Sequence, residues 1–108
     1  MGRNFYEKVL YFNDKEDLRE FVLTKLRRVL EKRCEEFYAT ASYECLVDEV
    51  LKYLAKLFQW VLKENDAEYL MIHEGGRHYE RIETEEEFMY YVETQFGGIL
   101  PLIEEVCS

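Results

Sequence analysis

Proline, glycine and histidine are scarce in this chain. Of 108 residues, one is Pro, five are Gly and two are His. So little Pro beside nine Tyr, seven Phe and one Trp excludes an intrinsically disordered chain. No run of ~18 apolar residues occurs, which excludes a membrane-spanning helix and predicts no membrane partner. Met1-Gly2-Arg3-Asn4 lacks the apolar stretch of a secretory signal. Cysteine is limited to Cys34, Cys45 and Cys107, an odd number with no CxxC pair. These features predict a cytoplasmic protein with reduced thiols.

Catalytic signatures are missing as well. Gly75-Gly76 lacks the Lys-Ser/Thr of a phosphate-binding loop, and apolar residues follow Gly97-Gly98. No Ser stands in a G-x-S-x-G elbow, and no Cys lies in a Cys–His signature. Asn plus Gln total five, and Ser plus Thr six, whereas Glu alone reaches 19. Many charged residues with few thermolabile amides is the pattern of hyperthermophile proteins, whose cytosols tolerate disulfides.

What is present is acid and apolar surface. The net charge is -9. Residues 1–38 carry nine Lys/Arg against eight Asp/Glu, while residues 39–108 carry five against fifteen. Such an acidic surface repels phosphate backbones, so nucleic acid is not the expected partner. Hydrophobic residues make up 48% of the chain, enough for the core of one domain spanning 1–108.

Hydrophobic periodicity predicts the elements. Phe5–Phe12 reads as a strand, and Asp14 caps a first helix over 15–38. Ser42 caps a second helix over 43–64. The two should fold back as an αα-hairpin, although no Gly or Pro forces a turn, and one continuous long helix is the alternative. A β-hairpin follows, with Gly75-Gly76 as its two-residue loop. Thr84 and Glu87 have the spacing of a capping box and open a third helix over 85–96. Residues 99, 102, 103 and 106 share a helical face and predict a last short helix, opened by Pro101, in preference to an edge strand. The expected fold is α+β, in the order β-α-α-β-β-α-(α), with a small antiparallel sheet packed against the helices.

A Gly75-Gly76 loop would pair Glu74 with Arg77, His73 with His78, Ile72 with Tyr79 and Met71 with Glu80. His73, His78 and Glu80 would then share one face, able to hold a divalent metal or serve acid–base chemistry, with Arg77 steadying an anion. That is the basis of an alternative function, a hydrolase or nuclease. An ordinary solvated hairpin tip accounts for the same residues. Lys25, Arg27, Arg28, Lys32 and Arg33 form a basic stripe on the first helix, fit for an anionic partner. With the hairpin as a wing, this gives a third reading, a winged-helix-like nucleic-acid binder. Glu83, Glu85, Glu86 and Glu87 form an acidic cluster at a helix start, able to meet the basic stripe of a second copy. Cys34 and Cys45 flank the helix joint and can approach each other, leaving Cys107 a free thiol. The favoured reading is a small acidic non-enzymatic interaction or regulatory protein, homodimeric, that binds a protein partner. Tyr43, Tyr53, Trp60, Tyr90 and Tyr91 are its candidate anchors.

Overall fold

Asp14 starts the first helix as its position suggests, its carboxylate accepting the Asp17 amide at 2.8 Å. The computed structural model describes residues 8–108. They form β1 (Val9–Phe12), α1 (Lys15–Leu30), α2 (Cys34–Tyr38), α3 (Tyr43–Glu64), β2 (Tyr69–Gly75), β3 (His78–Ile82), α4 (Glu85–Gln95) and α5 (Ile99–Cys107). This is an α+β fold in the expected order. Residues 5–7 of the expected first strand lie outside the described residues.

The sheet order is β1-β2-β3, and it is mixed rather than wholly antiparallel. β2 and β3 pair antiparallel, but β1 runs parallel to β2, with Val9 opposite Tyr69 and Phe12 opposite Ile72. Parallel neighbours cannot be joined by a tight turn and need a long crossover, supplied here by α1, α2 and α3. Period-two alternation sends Leu70, Ile72 and Ile82 into the core, with Leu10 and Phe12 packed against it. Phe12 meets Phe21 of α1 at a ring separation of 5.7 Å.

The first helix is shorter than its apolar periodicity predicts. It ends at Leu30, because Arg33 leaves helical geometry (φ -123°, ψ 6°) and donates its amide to the Leu30 carbonyl at 2.9 Å. The Arg33 guanidinium then bridges Glu36 on α2 and Glu49 on α3, holding α2 against α3. No Gly or Pro marks this bend. α3 begins where Ser42 suggests, but the Ser42 hydroxyl donates to the Glu36 carbonyl instead of capping the helix. The Thr84–Glu87 capping box closes in both directions. Gly97 and Gly98, at φ 77° and 90°, turn the chain into α5, which is helical as expected.

α5 packs against both α1 and α3, and α4 packs on α3. Leu26, Leu30, Leu46, Leu54 and Leu102 are wholly buried. Each fully buried leucine contributes roughly 1.5–3 kcal/mol. Among the described residues none that is polar or charged is buried, and no helix is long and apolar enough to cross a membrane.

Candidate functional site

Three elements leave a groove where the core ends. α2 supplies Phe37 and Tyr38, the turn after it supplies Ala39 and Thr40, and the first turns of α3 supply Tyr43, Glu44, Val47, Asp48 and Leu51. Leu100, near the start of α5, closes the opposite side. The cavity measures about 700 Å³. Its floor is aromatic, with Phe37 tilted against Tyr43 at 5.6 Å and edge-on to Tyr38 at 5.0 Å. Tyr38, Leu51 and Leu100 are 65%, 39% and 40% exposed, unusual for large hydrophobic side chains that share one surface. Among the described residues, Glu44 and Asp48 supply the only charges of its lining. Asp48 also accepts from Lys52 one turn on at 3.0 Å, an exposed pair of the weak kind.

A disulfide ties together two of the elements that line this groove, α2 and α5. Cys34, the first residue of α2, is bonded to Cys107, the last residue of α5, with Cα atoms 5.4 Å apart. The expected approach of Cys34 to Cys45 does not occur. Cys45 is exposed and free, while Cys107 is the bonded partner. The bend after α1 turns Cys34 toward the end of α5, a placement that depends on tertiary packing. The Tyr38 hydroxyl donates to the Cys107 carbonyl at 3.3 Å beside the bridge.

The hairpin register departs from the expected one. Gly75 pairs with His78, so the two-residue loop is Gly76-Arg77. A bulge at Glu74 then sets His73 opposite Tyr79, Ile72 opposite Glu80 and Met71 opposite Arg81. The one-residue slip separates the expected trio, because Glu80 falls on the face opposite His73. His73 tilts against Tyr79 at a ring separation of 4.9 Å, and its Nε2 lies 2.8 Å from the Gly76 carbonyl, placed to donate to it. His78 pairs with a glycine. Among the described residues no three His, Cys, Asp or Glu side chains converge to hold a metal ion. Arg77 stands exposed in the loop. His73 and Glu74 instead border a polar cleft of about 620 Å³ with Asn13, Asp14, Lys15, Glu16 and Gln95.

The other sequence candidates separate into bound and open groups. Arg33 is committed to its two glutamates, which hold its own proton more tightly and keep the Glu36 and Glu49 carboxyls below their usual range. Lys25 lies over the Phe21 ring at 5.3 Å. Arg27, Arg28 and Lys32 are exposed. Tyr53 is half-buried, and burial raises its pKa against the opposing pull of Arg28. Trp60 meets Tyr53 edge-on at 6.0 Å and remains 48% exposed. Tyr90 is exposed, whereas Tyr91 is buried and its hydroxyl donates to Glu74 at 3.5 Å. Burial raises the Tyr91 pKa, and Glu74 and Glu80 raise it further. Tyr91 therefore belongs to the core rather than to a contact surface. In the acidic cluster, Glu87 is spent on the Glu83 and Thr84 amides and Glu83 accepts from Arg81, leaving Glu85 and Glu86 exposed at the helix start.

Sequence reasoning named Tyr43 among the groove residues but missed Phe37, Tyr38, Val47, Leu51 and Leu100. The first four sit on apolar helix faces that periodicity assigns to a core, and Leu100 lies off the apolar face of the last helix. Comparison with protein families, curated proteins and solved structures found no match.

Proposed function

We propose that this chain is a small acidic interaction protein, without catalytic activity, that binds a partner protein through the groove between α2, α3 and α5. The observation that carries the reading is the meeting of Tyr38, Leu51 and Leu100 in one cavity of about 700 Å³. The occupant is an apolar segment of the partner bearing Lys or Arg. Its side chains enter the groove, and its cation meets Glu44 and Asp48, the latter in exchange for its exposed pair with Lys52. The net charge of -9 favours the same class of partner.

Homodimerisation is part of the proposal and uses other surfaces. The exposed Arg28 of α1 and Lys32 of the turn after it complement the exposed Glu85 and Glu86 of a second copy. We place the protein in the cytoplasm, where the charge-rich, amide-poor composition supports a hyperthermophile host able to keep a disulfide.

Selection of binders from a random peptide library tests the groove. Recovered peptides should be apolar with Lys or Arg, and should lose at least tenfold in affinity for Leu51→Glu and for Glu44→Lys. Acidic peptides, or affinity unchanged by either substitution, would refute the reading.

A further inference from the structure

We infer that the Cys34–Cys107 disulfide is a redox gate on the groove, and this inference rests on the binding role proposed for it. The bridge joins two of the groove's three walls, α2 with Tyr38 and α5 with Leu100, while Leu51 stands on α3. On α2, Tyr38 lies four residues beyond Cys34, so the two share a helix face one turn apart. On α5, Leu100 lies seven residues before Cys107, two turns away on the same face. The disulfide therefore ties the helix that carries Tyr38 to the helix that carries Leu100. The Tyr38 hydrogen bond to the Cys107 carbonyl crosses the same gap.

The two walls are held unequally. α5 places Leu102 and Ile103 wholly inside the core and stays docked with or without the bridge. α2 has five residues and none of them is buried. Apart from the bridge, it is held by exposed and half-exposed ion pairs from Arg33, the bond from Ser42, the Tyr38 hydroxyl, ring contacts of Phe37 and the partly buried packing of Cys34 and Phe37 against the edge of the core. Such ties are individually weak. Breaking the disulfide releases α2 and opens the groove while the core remains folded.

The chemistry needs a dithiol reductant. Its thiolate attacks one sulfur of the bridge, forming a mixed disulfide and expelling the other cysteine as a thiolate. The second thiol of the reductant then attacks the mixed disulfide. Two electrons and two protons pass to the protein, leaving two thiols, and the reductant leaves as its own disulfide. Cys34 and Cys107 are both partly exposed, which gives the reductant access.

The test uses full-length Cys45→Ser protein in three forms: oxidised, reduced with dithiothreitol, and reduced then bridged between Cys34 and Cys107 by one methylene group. Nile red, a neutral hydrophobic dye, probes the groove, and hydrogen exchange follows residues 34–42. Reduction should weaken dye binding at least tenfold and speed exchange over 34–42 at least tenfold, with β2 and α4 unchanged. The methylene-bridged form should behave as the oxidised one and ignore dithiothreitol. If either readout is the same before and after reduction, the gate is wrong. Loss of helical circular dichroism on reduction also overturns it, because a gate needs a folded open state. Leu51→Glu separates the two claims. Dye binding that survives Leu51→Glu removes the groove itself, whereas binding lost in Leu51→Glu but indifferent to reduction removes only the gate.

Discussion

Arg33 donates to Glu36 on α2 and to Glu49 on α3, a charged junction at the bend after α1. Both carboxyls ionise at lower pH folded than free, so the stability they add is present above the usual 4.5 and is lost as pH falls through their depressed values. Arg33→Met should therefore lower the melting temperature at pH 7, and the gap from wild type should narrow as pH falls below the usual carboxylate range. An unchanged gap in acid would mean that Arg33 acts through packing of its stem. Two glycines give a second residue-level prediction. Gly75 stands at φ 113°, where no L side chain is comfortable, and Gly76 at φ 57°, within reach of Asn. Urea titration should show Gly76→Asn within about 0.5 kcal/mol of wild type, and Gly75→Ala losing about 1–3 kcal/mol. The same pair explains a misreading: Gly75-Gly76 announces a hairpin, but either the first or the second glycine can enter the loop. The bulge at Glu74 decided, and with it the fate of the His73–His78 pairing.

Helix starts were legible where a side chain does the capping, at Asp14 and Thr84, because that chemistry is local. The end of α1 was not, since the apolar spacing runs on through Cys34, Phe37 and Tyr38 while the chain bends at Arg33. Those three side chains became groove wall and clasp, so the misjudged helix end and the missed site share one cause. The clasp also bears on stability. It closes a loop 73 residues long, and restricting the unfolded chain to that extent is worth about 4 kcal/mol. Urea unfolding with and without dithiothreitol should show a loss of that order. A loss under 1 kcal/mol would mean that the reduced, unfolded chain already keeps these ends near each other.

The whole molecule measures 55 × 27 × 21 Å, with a Cα radius of gyration of 15.2 Å against about 13 Å for a compact domain of this length. The groove lining includes neither the basic stripe of α1 nor the acid-rich start of α4. A dimer joined by the last two should be sensitive to salt. Sedimentation equilibrium should show it in about 50 mM NaCl and monomer near 1 M, where the screening length falls to ~3 Å. A monomer at both salts removes this assembly. The sheet direction was the largest feature hidden from the sequence, because period-two patterning sorts faces without saying which way a neighbour runs. The parallel pairing has a consequence in time as well as in space. Val9 finds Tyr69 only after a loop of some sixty residues has closed, whereas β2 and β3 meet across two. β1 is thus the last strand to join, added to helices and a hairpin that have already met. Leu10→Ala should speed unfolding and leave the refolding rate almost unchanged in a denaturant chevron. Slowed refolding would place β1 in the folding nucleus.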